Sequence, residues 1–311
     1  MKPDEFKTVS VTQFAGLVGA DTGEIPAVIA EALQSRPLLY RRLANPERDT
    51  VLQRLLEQLL SPDLSAVGKH RQEVWEQGWG ETLGEFVGAD YDVGKLIPKY
   101  TQLGDAIRFE GDYAQPRDTD FEVRLSKYQR QALFQKHFSQ CACVYEFGCG
   151  TGLNLVYLSE TLPRARVVGL DWVQSSRKLV EAIAHRHPRV GFRHFDFFEF
   201  ERFSLGEGSG VCTVTALEQV GDQFTPFLEF LIDARPQVVV HIEPIEEMYD
   251  TGSLFGYIGR AYHRKRRYLS GFLRKLEGLE AAGRIRILQK HHTGFGIQRH
   301  DPFSLIAWRP V

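Results

Sequence analysis

Apolar positions recur at helical spacing through the first part of the chain, broken by polar stretches with few strand-like runs. Residues 25–42, 48–60 and 71–87 predict three helices, and Pro46 and Pro62 stand near the ends of the second. Residues 91–117 are rich in Gly, Asp, Tyr and Pro and predict irregular connecting chain; Tyr100, Arg108 and Tyr113 fall within it. A helix over 121–138 leads into a second texture.

There the pattern alternates. Strands are predicted over 144–147, 165–171, 190–195, 210–216, 236–243, 284–290 and 303–309, with helices over 153–162, 175–187, 224–234 and 259–283. Repeated strand–helix units imply a parallel sheet with helices on both faces. Too little chain joins the last two strands for a crossover helix, so they should pair antiparallel. The expectation is an α/β fold: a seven-stranded, mostly parallel Rossmann-like sheet with an antiparallel last strand. A mainly helical region over residues 1–125 precedes a second domain over 126–311 and is expected on the substrate side as a lid.

Composition narrows the function classes. The 311 residues carry a formal net charge of −2, which offers no general attraction for nucleic acid. No apolar run approaches the ~20 residues that span a bilayer, and the start lacks a signal-peptide pattern. Cys141, Cys143, Cys149 and Cys212 read as buried reduced thiols without metal-site spacing. Together these features point to a cytoplasmic protein with neither membrane nor nucleic acid as a partner.

The densest chemical signal is Glu146-Phe147-Gly148-Cys149-Gly150-Thr151-Gly152, where a predicted strand gives way to a helix. Glycines there let the backbone turn tightly and approach a ligand, and the helix start adds free N–H groups. A dinucleotide fingerprint requires a third glycine where Leu153 stands, and a P-loop requires a Gly-Lys pair that is missing. Asp171 ends the next predicted strand, where a carboxylate can accept from ribose hydroxyls, and Asp196 follows the third.

These residues resemble the first motif of the class I S-adenosylmethionine-dependent methyltransferases, an acidic residue followed by Gly-x-Gly-x-Gly. The resemblance covers about residues 142–311. It implies S-adenosylmethionine as cofactor and S-adenosylhomocysteine as product, with Glu146 positioning the methionine ammonium group directly or through water. It also implies that Asp171 meets the ribose and Trp172 packs on the adenine. Asp196 would accept from the adenine amino group with Phe195 or Phe197 beside the ring. Gly148, Cys149, Gly150, Gly152 and Ala216 complete the expected cofactor contacts.

Candidates for acceptor chemistry lie past the fourth and fifth predicted strands. Leu217-Glu218-Gln219-Val220 is similar to a Leu-Glu-His-Val segment of small-molecule methyltransferases, but Gln219 replaces the histidine, leaving Glu218 either facing the site or capping a helix. On the fifth strand, alternation puts His241 and Glu243 on one side, which makes them the leading catalytic candidates beside Glu218. The basic run at residues 262–268 is either a solvated face or a reader of an anionic substrate. His291, His292 and His300 read as surface or loop residues. The expected function is methyl transfer to oxygen, nitrogen or carbon of a small metabolite, anionic ones included; the alternatives are a non-catalytic S-adenosylmethionine sensor or a nucleic-acid methyltransferase.

Overall fold

The computed structural model describes residues 5–99, 101 and 103–311; Tyr100 lies outside them. In chain order the elements are β1 (Lys7–Thr8), α1 (Val11–Val18), α2 (Ala27–Ser35), β2 (Leu39–Arg42), α3 (Asn45–Leu60), α4 (Gln72–Gly88), β3 (Ile107–Phe109) and β4 (Asp112–Pro116). They continue as α5 (Phe121–Phe138), β5 (Cys143–Phe147), α6 (Leu153–Thr161), β6 (Arg166–Asp171), α7 (Gln174–Ala184), β7 (Val190–His194) and β8 (Ser209–Val214). Then come α8 (Thr225–Ala234), β9 (Val238–Glu243), α9 (Leu254–Arg266), α10 (Phe272–Ala281), β10 (Ile285–His291), β11 (Phe295–Ile297) and β12 (Ser304–Pro310).

The main sheet has seven strands in the order β10-β12-β9-β8-β5-β6-β7. The pairs among β9, β8, β5, β6 and β7 are parallel, and β12 runs antiparallel to both neighbours, as the short connection requires. Strands β8 and β9 are buried at every position, which follows from helices covering both faces. One face packs Val144, Val240 and Leu305 against Leu133, Leu155 and Leu179. The other packs Phe147, Val239 and Trp308 against Phe227, Leu228 and Leu276.

The amino-terminal part is largely helical, but it also builds a second sheet, β1-β2-β4-β3-β11. This corrects the expected irregular stretch at 91–117, which contains the hairpin β3–β4. Its strands are short, and the connection runs through Gly111 at φ 79, so alternation is too brief to register in the sequence. The edge strand β11 comes from the connection between β10 and β12, so the two parts of the chain share one sheet. The predicted helix at 25–42 is α2 followed by β2, because Pro37 cannot continue a helix and biases Arg36 toward extended backbone. The predicted helix at 259–283 is two helices, separated where Arg267 and Gly271 take left-handed conformations.

Candidate functional site

The turn from β5 into α6 is built by backbone no other residue adopts easily: Gly148, Gly150 and Gly152 have φ of 76°, 52° and 79°. A Cβ on Gly148 would lie 2.4 Å from the Cβ of Ala216, and one on Gly152 would lie 2.6 Å from Ile183. The Cys149 thiol is tucked under the turn against Gly169, and burial holds it well above its ordinary pKa, hence protonated.

Asp171 closes the turn from below. Its Oδ2 accepts the N–H of Gly150 at 2.9 Å, and its Oδ1 accepts those of Trp172 and Val173 at 2.8 and 3.3 Å. Burial pushes its pKa up to about 6, against the pull of these donors. Glu146 is fully buried and does not line the cavity. Its Oε1 accepts from the Asn154 amide at 2.6 Å, and Asn154 is what faces the cavity. The second oxygen, Oε2, has no hydrogen-bond partner among the described residues, and burial raises the carboxyl to about 8.

The cavity above this cradle measures about 340 Å³, inside the roughly 300–1,000 Å³ span of small-molecule sites. On one flank Trp172 and Phe198 lie 5.7 Å apart, and Asp196 accepts the Phe198 N–H at 2.8 Å. Phe197 reaches the cavity from its packing against Phe227, and Ala216 lies opposite Gly148. Of the expected cofactor residues, Gly148, Cys149, Gly150, Asp171, Trp172, Asp196, Phe197 and Ala216 line the cavity; Glu146 and Gly152 do not, Gly152 packing against Ile183 instead.

The opposite wall comes from the amino-terminal region. Trp75 and Trp79 of α4 stack at 5.3 Å and line the cavity, and Arg71 lies over Trp75 while donating to Gln219 at 2.8 Å. Thr151 beside the glycines donates to the Leu96 carbonyl at 2.7 Å. Sequence periodicity indicated α4 but not which of its faces meets the cradle.

At the far end stand Glu218, Tyr262, Arg266, Tyr268 and His300. Glu218 accepts from Gln219 through Oε1; its buried Oε2 lies 3.9 Å from His300 Nε2, and neither atom has a hydrogen-bond partner among the described residues. Burial lifts Glu218 to about 7 and depresses His300 to about 3. His300, read as a surface or loop residue, lies in the loop after β11 but is not on the surface: it is 4% exposed, packed against Tyr262 and His263 of α9. Thr215, at the carboxyl end of β8, lines the cavity with φ 50°, a strained conformation for a β-branched residue.

His241 and Glu243 do not reach the cavity, which corrects their leading place as catalytic candidates. His241 bonds Thr213 at 2.9 Å and packs between Phe272 and Trp308, and burial lowers it to about 3. Glu243 accepts the backbone N–H groups of Ala216, Leu217 and Glu218 at 3.0, 3.0 and 3.3 Å, so it anchors the segment that carries Glu218. Arg108, read as part of the irregular connecting chain, lies in β3 and is wholly buried, paired with Asp301 at 2.8 Å and bonded to the Phe255 carbonyl. The described residues contain no cluster suited to a metal ion.

The fold is that of the class I S-adenosylmethionine-dependent methyltransferases. Among solved structures, the [4+2]-cyclase SpnF superposes with a TM-score of 0.51 at 13% identity, over 79% of this chain and 98% of its own. The N,N-8-amino-8-demethyl-D-riboflavin dimethyltransferase of Streptomyces davawensis matches at 14% identity over 99% of this chain and 90% of its own, with a TM-score of 0.42. The geranyl diphosphate C-methyltransferase of Streptomyces coelicolor A3(2), solved with S-adenosylhomocysteine, matches at 13% identity over 79% of this chain and all 100% of its own, with a TM-score of 0.45. Several longer matched structures are covered over less than half their length. No protein-family profile and no curated protein matches the chain.

Proposed function

We propose that this protein binds S-adenosylmethionine and transfers its methyl group to a small acceptor, an anionic metabolite being favoured. SpnF shares the fold and is described as a [4+2]-cyclase, so the reaction is argued from the site and not from the fold. The observation that carries the reading is one cavity running from the glycine turn to the unpartnered oxygen of Glu218. Glycines without a lysine suit a ligand that lacks phosphate at the turn. Asn154, backed by Glu146, presents an amide oriented by a buried carboxyl toward a charged amino acid moiety. In this reading Asp171 meets the ribose hydroxyls, and Trp172, Phe197 and Asp196 the adenine; all four line the cavity, which supports it.

When bound, the cofactor supplies an electrophilic methyl group on a sulfonium. The protein then has to align an acceptor and take up its proton. Glu218, near 7, is poised to be that base at neutral pH, whereas His300 and His241 are held neutral far below it. Arg71 and Arg266 lie beside Glu218 and favour an acceptor that carries negative charge. An open compartment beyond the cradle supports catalysis over a sensor role. Calorimetric titration with S-adenosylmethionine, S-adenosylhomocysteine and NAD tests the cofactor. Binding of the first two without NAD agrees with the reading, and binding of NAD alone overturns it. Methyl incorporation from labelled cofactor into metabolite fractions, compared with RNA, tests the acceptor class.

A further inference from the structure

The basic run at residues 262–268 divides between two hollows. Tyr262 and Arg266 face the cavity described above, while Arg264 and Arg267 line a separate recess of about 410 Å³. Arg260 of α9 and Arg274 of α10 complete a ring of four guanidinium groups, against two carboxylates in the lining, Glu246 and Asp222. Glu246 is buried and organises the ring: its Oε1 accepts from Arg260 Nε at 3.1 Å and from Arg264 Nε at 2.7 Å. Both bonds use Nε, which leaves the terminal amino groups to point elsewhere. No ion pair joins Arg267 or Arg274 to a carboxylate among the described residues. Nearby Glu247 meets Arg274 only through its backbone N–H, at 3.4 Å.

Four cations, from α9, its cap at Arg267 and α10, three of them exposed, outnumber the two lining carboxylates Glu246 and Asp222 and leave positive charge uncompensated in a concave site. Forked donors in that setting match phosphate oxygens. We propose that this recess binds the phosphate or diphosphate group of a phosphorylated ligand. It shares Gly68, Val220 and Tyr268 with the wall of the main cavity, so such a ligand lies directly beside the acceptor end. The site is independent of the cofactor reading.

The test is calorimetric titration of the full chain with pyrophosphate, inorganic phosphate, methyl phosphate and sulfate, with and without S-adenosylhomocysteine. Pyrophosphate is expected to bind more tightly than sulfate, to weaken as salt rises, and to leave S-adenosylhomocysteine binding in place. In the Arg267→Gln/Arg274→Gln variant, which leaves the Glu246 pairs intact, its Kd should rise at least tenfold while the melting temperature and S-adenosylhomocysteine affinity stay unchanged. Absence of pyrophosphate binding, or equal binding by the variant, overturns the site. Binding of inorganic phosphate with exclusion of methyl phosphate overturns the ester and leaves a free anion. If pyrophosphate binds as expected and S-adenosylhomocysteine does not, the recess stands and the cofactor reading fails.

Discussion

Glu76 of α4 caps a helix that is not its own: its carboxylate accepts the backbone N–H of Ser175 at 3.0 Å, and that of Gln174 at 2.7 Å, in the first turn of α7. The residue before α7, Val173, supplies no side-chain cap, so the amino-terminal region provides what the following helix lacks. The contact also fixes α4 next to Trp172. Glu76→Ala should lower stability by about 1 kcal/mol, the usual worth of a cap. It should also weaken S-adenosylhomocysteine binding several-fold by loosening the wall that carries Trp75 and Trp79. Urea denaturation and calorimetry read the two effects; unchanged affinity would separate α4 from the cofactor site.

Gly148→Ala should abolish cofactor binding. The substitution forces a side chain onto φ 76° and brings its Cβ within 2.4 Å of Ala216. The conformation alone costs about 1 kcal/mol, and the clash must displace the segment that Glu243 anchors. Calorimetry with S-adenosylhomocysteine on the folded variant checks this. Micromolar binding by the alanine variant would show that the turn does not contact the cofactor.

The proton-transfer role of Glu218 predicts a pH profile. Burial raises its carboxyl to about 7, so the basic form accumulates, and turnover rises, as pH increases through that value. Glu218→Gln should reduce kcat on the order of 100-fold and remove this limb, with cofactor affinity kept. His241→Asn is expected to keep the limb, since His241 lies outside the cavity. A rising limb that survives in Glu218→Gln would place the base elsewhere.

Arg108 and Asp301 join the second sheet to the last strands through a buried ion pair. Although burial alone would raise it, the charge of Arg108 and the hydrogen bond from His292 hold Asp301 at about 2. The folded value is below the unfolded one, so this pair stabilises above roughly pH 4 and its contribution fades as pH falls toward 2. Arg108→Met, which strands the carboxylate, should cost about 3–5 kcal/mol at pH 7 and proportionally less at pH 3. Equal losses at both pH values in urea denaturation would argue that packing, not charge, is what Arg108 contributes.

The amino-acid sequence by itself determined the parallel sheet and the glycine turn, because both depend on local rules. Alternating strand and helix periods set the order of elements. The glycine spacing needs no partner to be recognised, and Asp171 and Asp196 mark where strands end. Tertiary structure decided what long-range packing controls. It brought β11 to a sheet more than 100 residues away in the chain, put α4 across the cavity, and folded His300 beneath α9. It also reversed the ranking of the acidic candidates. Alternation could place His241 and Glu243 on one side of β9, but not say that α10 and β12 cover the former, or that three backbone N–H groups claim the latter. Glu218 stayed open to the cavity for a converse reason: its outer oxygen meets no donor among the described residues, and burial raises its carboxyl to about 7, leaving it available to a ligand.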